Sequence, residues 1–381
     1  MVSTQPKKFR VLVVDDSAFM RKVLESIFST DDQLQVIGQA KDGREAIALS
    51  ESLKPDVITM DLNMPHMDGL QATAQIMTSN PRPIVIVSSE SKEGAASTLK
   101  ALELGAIEFV TKPSSGIDLD MQSVKDELLR KVRMAAKVRV VRTASRLASA
   151  IQMPASANSL AAKPISPAPA AAVRTSNVAQ SELRFPVVVL GASTGGPATV
   201  MRLAPGFTRD FPAAVFLVQH MPAAFTTQYA LQLAEFTGIR VKEAEANESV
   251  QPGTLYICPG GQHLRVTPTG RISLDSVTGR IEGYLPNIDV TLESVAAYAG
   301  AMSIGVVLTG MGSDGSRGAR AIKAAGGVVL AQDEATSVIF GMPAEAIKTG
   351  AVEQVLALDD IYPAIEKRVL ALSRITPVGA R

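Results

Sequence analysis

A chain of 381 residues is too long for one ordinary core and too short for more than about three domains, so two are expected. Lys and Arg number 38 against 37 Asp and Glu, a formal net charge of +1 that argues against a globally basic nucleic-acid binder and an acidic disordered tail. Apolar residues make up 46%, but no uninterrupted apolar run reaches the roughly 18 to 20 residues of a membrane span, no secretory segment precedes Asp15, and one cysteine, Cys258, excludes a disulfide framework or Cys-based zinc cage; a soluble protein of a reducing cytoplasm is expected.

Apolar and amphipathic runs alternate from the start. Strands are expected at Arg10 to Val14, Gln35 to Gln39, Val57 to Met60, Ile84 to Val87 and Ile107 to Val110. Helices fall between them at Ser17 to Phe28, Gly43 to Leu53, after Asp68, and at Glu93 to Leu104, with a last one from about Leu119. Five such alternations predict a doubly wound, five-stranded parallel sheet of the flavodoxin type over residues 9–130. Residues 131–185 read as a helix tail and linker. From Val141 to Phe185, 45 residues hold 12 Ala, 7 Ser and 4 Pro with Glu182 as the single acid, too little apolar surface to offset ordering entropy. A second α/β domain spans 186–372. It opens with the strand PVVVLGA from Pro186 and a helix from about Pro197, then a strand at Val215 to Val218. Later come Ser303 to Thr309, a helix from Gly315 to Ala325 and a strand at Val328 to Ala331. Short segments between Val241 and Ser276, broken by Gly and Pro, read as antiparallel. The expected class is therefore a mostly parallel sheet with an antiparallel hairpin.

Ligand sites on doubly wound sheets lie at the carboxyl ends of the strands. Asp15 and Asp16 end the first strand, Asp61 the third, and Lys112 follows the fifth. Any one Asp at such a turn is more often an N-cap. Together, with Pro65 and Gly69 shaping the next loop, they suit a hard, hydrated ion such as magnesium and leave Asp61 as nucleophile for an acyl phosphate. Ser88, ending the fourth strand, is placed to hydrogen-bond a new phosphoryl group. This set resembles the receiver domain of two-component response regulators. The resemblance implies that Asp61 is phosphorylated by a histidine kinase, that Asp15, Asp16 and Asp61 hold Mg2+, that Ser88 is the switch hydroxyl and that Lys112 contacts the phosphate. His66 reads as an incidental loop residue.

In the second half the first strand runs into GASTGG, Gly191 to Gly196, which presents Ser193 on a sharp strand-to-helix elbow. A Gly-rich turn also suits a dinucleotide, but the next strand then wants an acid for the ribose. It ends instead in Gln219-His220-Met221-Pro222. Only three histidines exist, His66, His220 and His263, so a base for Ser193 is His220 or, as a competitor, His263. Asp314, in TGMGSDG after the Ser303 strand, is the candidate to orient it. The Thr194 N–H and the Met311 backbone are candidate oxyanion donors.

These segments, with PGTLYICPGGQH from Pro252 and FGMP from Phe340, resemble the chemotaxis receptor methylesterase and glutamine deamidase family, CheB. The resemblance implies Ser193 as nucleophile, His220 as general base and acid, and Asp314 as orienter, in a phosphorylation-activated hydrolase that needs no cofactor for hydrolysis. It further implies methyl-accepting chemotaxis receptors as substrate, the pathway's histidine kinase as phosphodonor, no nucleic acid, membrane association only through receptors, and a monomer. One departure stands out: the family's Arg-Pro-Ser before a Val-Asp or Ile-Asp step is here Leu285, Pro286, Asn287, Ile288, Asp289, which removes an Arg near an anionic receptor face. The competing reading, a response regulator with a DNA-binding output, draws on Arg130 to Arg146, with seven basic residues and no acid.

Overall fold

The computed structural model describes residues 8–88, 92–112, 121–138, 185–276 and 283–375. The first sheet is built from β1 (Phe9–Val14), β2 (Leu34–Ala40), β3 (Val57–Met60), β4 (Ile84–Ser88) and β5 (Glu108–Thr111). All its pairings are parallel, in the order β2-β1-β3-β4-β5, with helices α1 (Ala18–Ser29), α2 (Gly43–Leu53), α3 (Gly69–Ser79), α4 (Lys92–Glu103) and α5 (Met121–Ala135) between and after the strands. The helices start where the sequence supplies caps. Ser17, Asp42 and Asp68 each accept a backbone N–H of the following first turn, worth about 1 kcal/mol apiece.

The second sheet has seven strands in the order β14-β13-β12-β6-β7-β9-β8. In chain order its domain runs β6 (Val187–Ala192), α6 (Gly196–Leu203), β7 (Ala214–Gln219), α7 (Ala223–Ala234), β8 (Arg240–Glu243), β9 (Thr254–Ile257), then β10 (His263–Val266) and β11 (Ile272–Asp275). It continues with α8 (Ile288–Ala299), β12 (Ser303–Val307), α9 (Ser316–Ala324), β13 (Val328–Gln332), α10 (Met342–Lys348), β14 (Gln354–Leu356) and α11 (Leu358–Ile375). Every pairing within the seven-stranded sheet is parallel, and among the strands of the described residues β10 and β11 alone pair antiparallel. The antiparallel expectation for Val241 to Ser276 thus holds for β10 and β11 and is corrected for β8 and β9. β8 and β9 join the main sheet because α7 and the long loop before β9 return the chain to the same edge, and the Gly and Pro between them mark connections rather than hairpin turns. The strands β6, β7 and β12 are buried along their whole length, as expected of a sheet covered on both faces.

The two sheets belong to one compact unit with a continuous core. Ala95, Leu99 and Leu102 of α4 and Phe109 of β5 share a buried cluster with Val200, Met201, Phe225 and Tyr229 of α6 and α7. The Phe109 and Phe225 rings meet with centroids 4.5 Å apart. Residues 139–184, within the proposed helix tail and linker, lie outside the described residues.

Three of the four basic residues in the described part of the basic segment have partners within the chain, Lys137 being exposed. Lys131 pairs with Glu108 and Glu127, Arg133 with Asp31, and Arg130 donates to the Met311 Sδ. Among the described residues this leaves no row of unpaired cations for a phosphate backbone.

Candidate active site and acidic phosphoacceptor pocket

At the carboxyl edge of the first sheet, Asp15 and Asp61 are buried and Asp16 is exposed, with one carboxylate oxygen of each within 4.8 Å of the others. Lys112 brings its ammonium 2.9 Å from Asp15 Oδ2 and 2.8 Å from Asp61 Oδ2. Burial pushes the Asp61 carboxyl above the usual carboxylate range, with the Asp15 charge adding to it, against the pull of Lys112. The Lys112 ammonium is held above its ordinary value because the two carboxylates outweigh its own burial. An all-oxygen donor set without thiol or imidazole fits a magnesium-type ion. Gly69 is required below this pocket, since a Cβ there would sit 2.0 Å from the Asp61 carbonyl oxygen. Ser88, buried at the end of β4, donates to the carbonyl of Gly94 in α4. His66 is exposed at a positive φ of 66° in the loop beyond.

The second cluster is assembled by adjacent strands. Ala192 and Gln219 are register partners in β6 and β7, so Ser193 and His220 leave the sheet side by side. Gln219 ties them together: its side-chain amide donates to the Ser193 carbonyl at 2.9 Å and the His220 carbonyl at 3.2 Å. That brace needs Gly196, where a Cβ would lie 2.1 Å from Gln219 Oε1. Gly195, with φ of 73°, turns the chain from the elbow into α6.

His220 Nε2 lies 2.8 Å from Asp314 Oδ2, both side chains nearly buried. Asp314 is held by the chain on all sides. Its Oδ2 also accepts the Ile288 N–H, and its Oδ1 accepts those of Asp289 and Gly315. Burial works to raise its carboxyl, but His220 and the N–H groups at the start of α8 outweigh that and hold it below the usual carboxylate range. His220 Nδ1 is buried and, among the described residues, makes no hydrogen bond, to Ser193 Oγ or any other atom. Asp314 thus engages His220, not His263. The latter opens β10 opposite Asp275, and burial and Arg265 lower its pKa.

Of the oxyanion candidates, neither the Thr194 nor the Met311 N–H has a partner among the described residues. Both flank Ser193, since the Ser193 N–H donates to Thr309 and Gly310 packs directly against Ser193. A Cβ on Gly310 would sit 2.8 Å from Ser193 Cβ and 2.3 Å from Met342 Sδ, so Gly310→Ala is expected to push the serine aside. A displacement of that kind costs about 10²-fold in turnover. Kinetics on a variant with wild-type circular dichroism check it, and unchanged turnover would show that the serine need not be held there.

Sequence reasoning gave no role to Gln219, to Tyr284, whose ring lies on His220, or to the start of α8. The departure at Asn287 also has a structural reading: its side chain caps α8 by accepting the Val290 N–H, a task Ser performs equally well. Cys258 is inert, its thiol pushed up to about 12 by burial.

A receiver sheet with an acidic edge, joined to a Ser, His and Asp cluster on a second parallel sheet, defines a response regulator with an enzymatic output module. Residues 11–123 match the family model for the response regulator receiver domain and 188–365 that for CheB methylesterase. A Pyrococcus horikoshii protein named protein-glutamate methylesterase/protein-glutamine glutaminase is 42% identical over 366 residues, 95% of this chain and 94% of its own. An Oleidesulfovibrio alaskensis protein of the same name, numbered 1, is 42% identical over 94% of this chain and 99% of its own. The crystal structure of the Thermotoga maritima CheB methylesterase catalytic domain aligns with a TM-score of 0.47 at 39% identity, covering 49% of this chain and 99% of that one. The chain belongs to the CheB methylesterase family.

Proposed function

We propose that this chain removes methyl groups from glutamate methyl esters of chemotaxis receptors and deamidates receptor glutamines, with hydrolysis switched on by phosphorylation of Asp61. The observation that carries the hydrolytic reading is the His220 and Asp314 pair at 2.8 Å beside Ser193 on adjacent strand ends. Ser193 Oγ attacks the side-chain carbonyl carbon, and His220 takes its proton on Nδ1, the nitrogen that Asp314 leaves unoccupied. The carbonyl oxygen becomes an oxyanion held by the Thr194 and Met311 N–H groups. His220 returns the proton to the departing group, which leaves as methanol from the ester or ammonia from the amide. Water then attacks the acyl-serine, giving its proton to His220, which hands it back to Ser193 Oγ as glutamate departs.

In the receiver, a histidine kinase of the chemotaxis pathway donates a phosphoryl group to an Asp61 oxygen. Asp15, Asp16 and Asp61 would hold magnesium, which when bound offsets carboxylate repulsion and engages phosphoryl oxygens. Lys112 and Ser88 are placed to bind the new phosphoryl oxygens. Drawing the Ser88 hydroxyl from the Gly94 carbonyl alters the start of α4, which packs on α6 and α7, the helices that follow Ser193 and His220. Arg130 of α5, lying on Met311, and Phe109 of β5, on Phe225, complete this restraining contact.

Methanol release from methylated receptor membranes, with and without a small acyl-phosphate donor, tests both halves. The donor is expected to stimulate release by the full chain. Asp61→Asn is expected to keep basal turnover and lose the stimulation entirely. A donor response that survives Asp61→Asn would remove Asp61 from the switch, and no methanol release at all would overturn the hydrolytic reading.

A further inference from the structure

One short segment, Tyr284 to Asp289, grips the hydrolytic cluster at two points. Its end, the start of α8, supplies the Ile288 and Asp289 N–H groups that hold Asp314 at 2.8 and 2.9 Å. Its beginning lays the Tyr284 phenol ring flat on the His220 imidazole, with centroids 4.1 Å apart and planes 12° from parallel. The same phenol reaches the turn that carries Met311, since a Cβ on Gly312 would lie 3.3 Å from Tyr284 Oη.

The imidazole needs this. Its one hydrogen bond, Nε2 to Asp314, fixes a point, not a plane, and the ring remains free to swing about that line. Among the described residues Nδ1 has no partner to remove the freedom. A stacked aromatic face does remove it and keeps water off one side of the ring.

We propose that Tyr284 is a positioning residue for His220: its ring fixes the imidazole plane so that Nδ1 is presented to Ser193. This rests on the reading of Ser193, His220 and Asp314 as the hydrolytic triad. The work is done by the aromatic face and not by the hydroxyl, so phenylalanine should serve and leucine should not.

The test uses the full chain and the variants Tyr284→Phe, Tyr284→Leu and Tyr284→Met, with Ser193→Ala and His220→Ala as controls. Two rates are read: kcat and KM for methanol release from methylated receptor membranes, and acylation of Ser193 by p-nitrophenyl acetate, which requires no receptor docking. Tyr284→Phe is expected to stay within about twofold of wild type in both. Tyr284→Leu is expected to lose about 10²-fold in kcat and in acylation, as for a misplaced catalytic group, with KM unchanged. Tyr284→Met repeats the measurement should leucine fail to fold by circular dichroism. Full acylation in the Leu or Met variant overturns the proposal, as does a rise in KM alone, which would make Tyr284 a substrate contact, or a Phe variant as slow as Leu. If instead the Ser193 and His220 controls keep turnover, it is the triad reading itself that fails, and the proposal with it.

Discussion

Ser193→Ala is expected to lower methanol release by at least about 10⁴-fold while leaving the fold intact, because a serine triad without its nucleophile retains only what binding and the oxyanion donors supply. The variant removes one oxygen from a half-buried side chain and none of the bonds that shape the elbow. Those run through the backbone: the Ser193 N–H to Thr309, the Ser193 carbonyl to Gln219 and to the Gly196 N–H. Thermal unfolding should therefore be unchanged, and turnover near wild type in the folded variant would remove Ser193 from the chemistry.

Asp314→Asn is expected to be nearly as severe, about 10⁴-fold in kcat, for a reason the geometry makes specific. Four N–H groups converge on this carboxylate, two on each oxygen. An amide offers one acceptor oxygen, so its NH2 must confront two donors. Turned toward His220, the NH2 forces Nε2 to accept and moves the ring proton to Nδ1, the nitrogen that must be bare to act as base. Turned the other way, it leaves the Asp289 and Gly315 N–H groups without acceptors, at about 1–3 kcal/mol each. Turnover and thermal melts measured together distinguish the two orientations, and a variant that keeps wild-type kcat would show that Asp314 does not set the tautomer.

Much of this was legible in the sequence because strand ends and their chemistry coincide. Val57 to Met60 and Gly43 to Leu53 could be bounded to the residue, since buried strands between turn residues and capped amphipathic helices have unambiguous periods. Ser193, His220 and Asp314 each follow a buried strand, so parallel topology alone predicts their meeting. What stayed hidden depends on contacts that no period encodes. The parallel pairing of β8 and β9 needed the sheet to show which edge they join. The Gln219 amide bracing two carbonyls, and the Tyr284 ring on His220, arise from neighbours 26 and 64 residues apart in the chain, with no local pattern to announce them. The departure from Leu285 to Asn287 read as the loss of an Arg toward the receptor, and Asn287 within it is a helix cap.

The continuous core beneath α4, α6 and α7 has a consequence for how such a chain can be altered. Phe109 and Phe225 belong to different modules, yet their rings meet inside one buried cluster. A foreign receiver grafted at the linker would carry its own phosphoacceptor chemistry intact and still meet Phe225 with a mismatched surface. Exchange of input modules in this chain is therefore governed by the residues on α4 and β5 that meet the hydrolase, more than by the acidic pocket that receives the signal.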